Sequence, residues 1–223
     1  MPAMRAGEGG GAMWDEPIGR WLDALASGTP TPGGGAASAL GAAAAAALVE
    51  MVCNLTIGRP RYAGHESIVR EALAEATRLR RRALELAAED AAAFDAVSAA
   101  FKLPKDTEEL ARARAERIQL TMAAATEVPL RTADLAGDLV RLAARIAVGV
   151  NVTTLADLAA AVLSARAAVE VARLNVEANL ATITDPRRRA AFAERASGLG
   201  AALIEAERVI ADLRHRIRGD RAG

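Results

Sequence analysis

The sequence predicts an all-α protein, a multihelical bundle of about seven helices. Three observations support this fold class. No segment has a convincing strand pattern, whereas breakers such as Gly64, Pro104 and Gly149 separate long stretches of helix-forming residues. Hydrophobic residues make up 52% of the chain, and aromatic residues make up only 3%. The core must therefore form from alanine, leucine, valine and isoleucine, which favours close contact between helices.

The first elements are a leader and two helices. Residues 1–13 contain three consecutive glycines and no long apolar stretch, so we expect a disordered leader rather than a signal peptide. One helical domain is expected over residues 14–223. It starts with a short amphipathic helix over residues 14–26. The next helix, over residues 36–54, has small side chains around its whole circumference, which predicts burial on all sides.

Prolines, glycines and capping residues mark the later elements. Asp106, with Glu109 three residues later, has the pattern of a helix cap. Pro129 is expected at the start or at a kink of a helix, because proline disrupts helix interiors. Asp185 precedes a proline and predicts a turn. The later helices are expected over residues 66–101, 106–126, 129–148, 154–183 and 186–218.

The helix lengths predict an oligomer. A helix over residues 66–101 is far longer than the mean of about 11–12 residues. A small globule cannot easily bury helices of that length, so we expect an intertwined homodimer.

Charge and composition exclude several classes of partner. The 28 basic and 28 acidic residues balance, so no basic surface for nucleic acid is expected. Cys53 is the only cysteine, and His65 and His215 lack the spacing of metal ligands, so we expect no metal site and a reducing, cytoplasmic location. The apolar segment 36–49 is shorter than the ~20 residues that a bilayer requires, so no membrane partner is expected.

The segment Thr29–Gly35 leads into the alanine-rich helix with two prolines and three glycines. Glycine permits unusual backbone angles and a close approach of other groups. The helix start that follows has free N–H groups and the positive end of a dipole, which suits an anion. A linker that feeds a tightly packed helix explains the same residues and is the more common use of such turns.

Three charged residues interrupt apolar or loop segments. Asp90 and Asp95 lie in a stretch of alanine, valine and phenylalanine. A buried carboxylate needs a basic partner or a function, whereas an exposed helix face is the simpler alternative. Lys105 follows a proline in a short loop, where it is either solvated or placed to bind an anion or transfer a proton.

Polar residues mark both ends of one later helix. Asp157 and Asn175 are 18 residues apart, a whole number of turns, and Asn179 follows one turn later. At 1.5 Å per residue the two ends lie roughly 27 Å apart, so one compact substrate cannot touch both within a protomer. They serve different sites, or a second protomer brings opposite ends together. Buried, hydrogen-bonded asparagines are the alternative.

Six segments, in order along the chain, together resemble the cyclodeaminase/cyclohydrolase family of tetrahydrofolate enzymes. They cover about residues 15–185. The segment from Met51 to Gly58 looks more like the stand-alone cyclohydrolases of this family. The matching segments are Pro30–Gly35, Met51–Gly58, Asp90–Asp95, Leu103–Lys105, Asn151 with Asp157, and Leu174–Leu180.

The resemblance implies an all-helical homodimer that takes a tetrahydrofolate derivative as substrate, with no permanently bound cofactor. The implied activity is that of a methenyltetrahydrofolate cyclohydrolase, which hydrolyses 5,10-methenyltetrahydrofolate to 10-formyltetrahydrofolate. One alternative is a formiminotetrahydrofolate cyclodeaminase that releases ammonia. Another is a non-catalytic folate-binding helical protein.

The resemblance also implies roles for ten residues. Those expected to act as general acid or base are Lys105, Asp90 and Asp95. Those expected to hydrogen-bond the pterin edge are Asn151, Asp157, Asn175 and Asn179. The turn expected to admit the ligand or its glutamate tail is Gly33, Gly34 and Gly35.

One loop departs from the family pattern. Val150 stands where glycine is usual before the asparagine. A β-branched residue resists a positive φ, so this substitution is expected to alter the loop if the backbone there needs one. An altered loop would favour a shifted substrate preference or reduced activity.

Overall fold

The computed structural model describes residues 16–219, and it confirms the all-α prediction: no strand occurs among those residues. The leader expected for residues 1–13 lies outside the described part. Two short 3₁₀ helices, Pro60–His65 and Val152–Thr154, lie in connecting segments. The α-helices are α1 (Ile18–Leu25), α2 (Gly34–Asn54), α3 (Glu66–Phe101), α4 (Glu108–Ile146), α5 (Leu155–Leu180), α6 (Pro186–Gly198) and α7 (Gly200–Gly219).

Helices α2 to α5 form an antiparallel four-helix core. Each packs on the next, α5 packs back on α2, and α7 covers the outer side of α5 and α4. Ion pairs show the antiparallel order of α3 and α4. Glu75, early in α3, pairs with Arg145, late in α4. Glu89, fourteen residues later, pairs with Arg131, fourteen residues earlier.

Alanines hold α2 at the centre of this bundle. Ala39, Ala42, Ala45 and Ala46 are fully buried, because such small side chains let the backbones of α3 and α5 approach closely. The expectation of burial on all sides is wrong for one face, since Ala44, for example, is exposed. Eleven of the 21 residues of α2 are buried, so α2 is a core helix with one open face.

Pro129 lies inside α4, which contradicts the expected division into two helices. The helix runs without interruption for 39 residues. A proline in a helix interior costs about 3 kcal/mol, because it removes one hydrogen bond and crowds the preceding turn. Here α4 is buried along its second half, including Val128 and Leu130 on either side of the proline. Tertiary packing therefore overrides the local preference.

Two other boundaries differ from prediction. Thr107, not Asp106, caps α4, and its hydroxyl accepts from the Leu110 N–H at 3.2 Å. The single final helix expected over residues 186–218 is two helices, broken at Leu199 between two glycines. The expected number of seven α-helices agrees with the described residues, because the two errors cancel. The prediction divided α4 into two helices and merged α6 and α7 into one.

Two helices are long and apolar enough to cross a membrane by length and composition alone. They are Gly34–Asn54 and the stretch Val152–Leu180, with mean hydropathy 1.8 and 1.5. The apolar segment 36–49, which was expected to be too short to cross a bilayer, is thus part of the longer helix α2. Their apolar windows are 56% and 50% buried within this fold, as in the core helix of a bundle, which passes the same test.

Candidate functional site

A cavity of about 350 Å³ opens at the end of the bundle where α2 begins. It brings together six of the ten predicted site residues. One group comes from the start of α2, one from the middle of α3 and one from the end of α5. The six are Gly33, Gly34, Gly35, Asp90, Asn175 and Asn179.

The rest of the wall is largely apolar, and sequence reasoning did not predict it. Apart from Pro30 and Thr31, it comes from α3 and α4. These wall residues are Ala93, Phe94, Val97, Met122, Ala125 and Pro129.

The carboxylate of Asp90 lies against the backbone of Gly35. A Cβ atom added to Gly35 would lie 2.1 Å from Asp90 Oδ1, so a larger residue there would force the Asp90 carboxylate to move. Asp90 also accepts a backbone hydrogen bond from Ala36. The acceptor at the start of α2 is therefore a side chain of the chain itself, whereas the sequence suggested a site for an anionic ligand. Among the described glycines only Gly58 has a positive φ, so the turn needs glycine for space rather than for backbone angle.

Burial raises the pKa of the Asp90 carboxyl above its usual value, and the Ala36 N–H opposes that shift. No arginine or lysine lines the cavity among the described residues. Asp90 is thus the one charged group in the wall of a mostly apolar cavity. A carboxylate in such a place is a stronger base than in water and favours a cationic ligand.

Asn175 and Asn179 lie one turn apart on α5 and face the same cavity. The Nδ2 of Asn175 donates to Val171 O in its own helix at 3.0 Å. The Nδ2 of Asn179 donates across to Ala125 O on α4 at 3.4 Å. Both amide groups are therefore held in place by backbone carbonyls.

Asp95 lies beside the cavity rather than in its wall. Its side chain is exposed, and it accepts from the Thr31 hydroxyl at 3.5 Å. Thr31 belongs to the Pro-rich segment that lines the cavity mouth. The contact ties that segment to α3, so the geometry gives Asp95 a tethering position.

Lys105 is exposed in the loop between α3 and α4 and lies outside the cavity wall. Phe101, at the end of α3, is eleven residues beyond Asp90, which is about 16 Å of helix. A lysine side chain from the following loop does not span that distance. Within one protomer the structure does not bring Lys105 to Asp90.

Asn151 lies at the opposite end of the bundle and is 3% exposed. Its Nδ2 donates to Leu55 O at 3.3 Å, and its backbone N–H donates to the Thr56 hydroxyl at 2.9 Å. Its Oδ1 accepts from Thr153 through both N–H and hydroxyl. Asn151 thus joins the α4–α5 loop to the end of α2. Asp157 lies nearby, half-buried in the first turn of α5.

The loop that departs from the family pattern shows no strain. Val150 is fully buried, and no non-glycine residue among those described has a positive φ. The concern that a β-branched residue would distort this backbone is therefore not supported. The neighbouring Gly149 is the position that needs glycine, because an added Cβ would lie 2.6 Å from two carbon atoms of His65.

No cluster of three histidine, cysteine, aspartate or glutamate side chains suited to a metal ion occurs within residues 16–219. Cys53 is fully buried, and burial raises the pKa of its thiol to about 11. Such a thiol is protonated at neutral pH and is a poor nucleophile.

Comparison with known proteins gives consistent results. The family model described as formiminotransferase-cyclodeaminase matches residues 17–198. A methenyltetrahydrofolate cyclohydrolase from Methylorubrum extorquens is 42% identical over 192 residues, which are 86% of this chain and 91% of that protein. A formimidoyltransferase-cyclodeaminase from Sus scrofa is 30% identical over 188 residues, but the match spans only 35% of that longer protein.

A solved structure has the same fold. The formiminotetrahydrofolate cyclodeaminase from Thermotoga maritima superimposes with a TM-score of 0.80 at 26% identity. The match covers 92% of this chain and 98% of that chain. The likeness therefore extends over the whole helical bundle.

Proposed function

Because the chain belongs to the formiminotransferase-cyclodeaminase family, we propose that it is a methenyltetrahydrofolate cyclohydrolase. The observation that carries this proposal is Asp90, a half-buried carboxylate in an otherwise uncharged cavity wall. The methenyl group of the substrate is a cationic amidinium, so a single carboxylate complements its charge. Similarity over 91% of the length of the M. extorquens cyclohydrolase supports the same reaction.

In the proposed reaction Asp90 acts as the base. A water molecule forms a C–O bond to the carbon between N5 and N10, and one water proton passes to Asp90. The bond from that carbon to N5 breaks as N5 takes the proton back from Asp90. The second water proton leaves to solvent as the formyl C=O forms on N10. The raised pKa of Asp90 helps both proton transfers, because a general acid or base is most effective when its pKa is near the pH at which the enzyme works.

The two amides and the apolar wall would bind and orient the substrate. Oxygen atoms of Asn175 and Asn179 suit the N–H donors of a pterin edge. Phe94 and Met122 offer apolar contact for flat rings. A cavity of about 350 Å³ lies within the usual range of ~300–1,000 Å³ for small-molecule sites.

The proposed enzyme is a cytoplasmic homodimer, and Lys105 of the partner subunit takes part in the site. Within one protomer Lys105 is too far from Asp90. The end of the α3–α4 hairpin supports an interface, because residues 101–113 are all exposed and include apolar Phe101 and Leu103. We expect Lys105→Ala to lower turnover strongly while the dimer persists. Unchanged turnover would remove Lys105 from the mechanism.

A mixing experiment tests the shared site directly. Neither Asp90→Asn nor Lys105→Ala should be active alone. Refolded together, they form mixed dimers in which one of the two sites keeps Asp90 and faces an intact lysine. Random pairing then restores about a quarter of the wild-type activity. Failure to restore any activity in confirmed mixed dimers would show that Lys105 does not act across an interface.

The cyclodeaminase reaction is the second candidate, favoured by the fold of the T. maritima protein. The deciding assay follows loss of the methenyl absorbance with purified protein, beside ammonia release from 5-formiminotetrahydrofolate. Faster loss of the methenyl absorbance without ammonia release supports the cyclohydrolase. Ammonia release as the dominant activity supports the cyclodeaminase. Folate binding without either reaction would leave a binding protein.

A further inference from the structure

Pro129 leaves one backbone carbonyl of α4 without its normal partner. In an α-helix the N–H of residue 129 would donate to the C=O of residue 125. Proline has no N–H, so Ala125 O lacks that hydrogen bond. Both residues line the cavity, so the vacant acceptor lies beside the proposed site.

The side chain of Asn179 supplies the missing donor. Its Nδ2 reaches Ala125 O at 3.4 Å from the facing helix, α5. The two residues are 54 positions apart in sequence. Pro129 on α4 therefore leaves an acceptor free, and Asn179 on α5 supplies the donor for it.

This contact determines which way the amide points. A carbonyl oxygen only accepts hydrogen bonds, so the NH₂ end of Asn179 must face Ala125 and its Oδ1 must point elsewhere. Asn175 is oriented in the same way by Val171 O. Neither Oδ1 is a buried atom without a partner among the described residues, and both side chains line the cavity.

We propose that Pro129 is a positioning residue, which makes Asn179 present its oxygen to the ligand. Together, the side-chain oxygens of Asn179 and Asn175 form a pair of hydrogen-bond acceptors in the cavity wall. This pair binds a ligand edge with neighbouring N–H donors, such as the 2-amino and N3–H groups of tetrahydrofolate, while Asp90 stays at the reacting carbon. The choice of this ligand rests on the proposed function; the coupling of Pro129 to Asn179 does not.

Pro129→Ala tests the positioning. The alanine N–H donates to Ala125 O and competes with Asn179 for that acceptor, so the amide of Asn179 is held less firmly. Calorimetric titration with tetrahydrofolate is expected to show about 5-fold weaker binding, the value of one neutral hydrogen bond. Binding of the 2-desamino analogue should change little, so discrimination between the two ligands falls. Thermal stability should stay equal or rise, because a helix gains a hydrogen bond.

Thr132→Val is the matched control. Thr132 is buried in the same helix, and its hydroxyl bonds to Val128 O at 3.2 Å without lining the cavity. This variant should keep the wild-type discrimination. A double-mutant cycle adds the decisive arm: in an Asn179→Ala background, Pro129→Ala should have no further effect on binding. An equal loss in both backgrounds, or no loss in the wild type, overturns the proposal.

A second readout does not depend on folate. In a ¹⁵N–¹H spectrum, the Asn179 side-chain amide protons should exchange slowly with solvent in the wild type and faster in Pro129→Ala. Equal exchange in both proteins overturns the positioning role. If the wild type binds no tetrahydrofolate, the proposed function and the ligand assignment fail together, and the exchange rates still decide the coupling.

Discussion

The two ends of the four-helix core use the same components for different purposes. At each end a glycine makes room for a side chain from another segment: Gly35 for Asp90 and Gly149 for His65. At each end an asparagine donates its Nδ2 to a backbone carbonyl. The difference lies in the amide oxygens. That of Asn151 accepts two hydrogen bonds from Thr153.

At the cavity end the amide oxygens accept nothing from the described residues, and the glycine holds a carboxylate. A polar group with all its partners stabilises a fold, whereas one left accessible beside apolar walls is available to a ligand. We therefore propose that the α2 start binds the ligand and that the α5 start has a structural role.

The largest expected effect is the loss of activity in Asp90→Asn. A general base contributes roughly 10²- to 10⁴-fold to rate, and turnover of the methenyl substrate should fall by that order. The fold should persist, because the amide keeps the shape without the charge. Folded, dimeric protein with unchanged turnover would refute the role of Asp90.

The same variant has a pH signature in unfolding. The pKa of Asp90 is raised in the folded state, so the folded chain holds the carboxyl proton more tightly than the unfolded chain does. The folded state therefore loses stability as the pH rises above the pKa that Asp90 has in the unfolded chain. The stability of Asp90→Asn relative to wild type should increase with pH above about 4 and then level off. Denaturant titrations over a pH series measure this difference. A constant difference would show that burial does not perturb Asp90.

The next effect compares the two glycines. An added Cβ at either Gly35 or Gly149 meets neighbouring atoms below 3 Å, so both alanine variants should lose about 1–3 kcal/mol of stability through overpacking. Only Gly35→Ala displaces Asp90, so only it should also lose activity per folded molecule. Gly19→Ala, where an added Cβ meets nothing within 4 Å, is the control. Equal loss of activity in both variants would contradict the proposal that only the Gly35 end of the bundle binds the ligand.

A smaller effect compares the asparagines. Asn151→Ala leaves buried partners unsatisfied and should lower the free energy of unfolding by about 1–3 kcal/mol. Asn175→Ala should leave stability nearly unchanged and weaken tetrahydrofolate binding. Chemical denaturation and calorimetric titration measure the two quantities. The reverse pattern, with Asn151 controlling binding, would place the site at the other end or across an interface.

The smallest effect concerns Cys53. Its buried thiol, with a pKa of about 11, should react with a thiol reagent only as fast as the protein opens. Denaturant should accelerate labelling in parallel with unfolding. Rapid labelling of native protein would mean that the centre of the bundle opens locally.

Much of the fold follows from local patterns, because helices in this chain are separated by strong breakers. Asp90 was predictable as a polar residue in an apolar helix, and the ~27 Å separation of Asp157 and Asn175 follows from helical geometry. The continuity of α4 through Pro129 was not predictable, since the partner of the freed carbonyl lies 54 residues away. The break at Leu199 likewise depends on tertiary packing.

The anion expected at the α2 start illustrates the limit of local reasoning. The helix dipole and free N–H groups indicated that this helix start suits an anion. Which carboxylate could not be read from the segment, because Asp90 arrives from α3. In the proposed dimer, the roles of Lys105 and Asp157 depend on the partner subunit, which local sequence patterns do not position.

The alanines of α2 also limit how this protein can change. A core of leucine or phenylalanine can be trimmed or exchanged for similar volumes. At Ala39, Ala42, Ala45 and Ala46, which have no exposed surface, almost every substitution adds atoms, and overpacking typically costs 1–3 kcal/mol. Substitutions in this helix are therefore limited by the largest side chain that fits, not by the smallest. New specificities have room to arise in the cavity walls, while the central helix has to stay small.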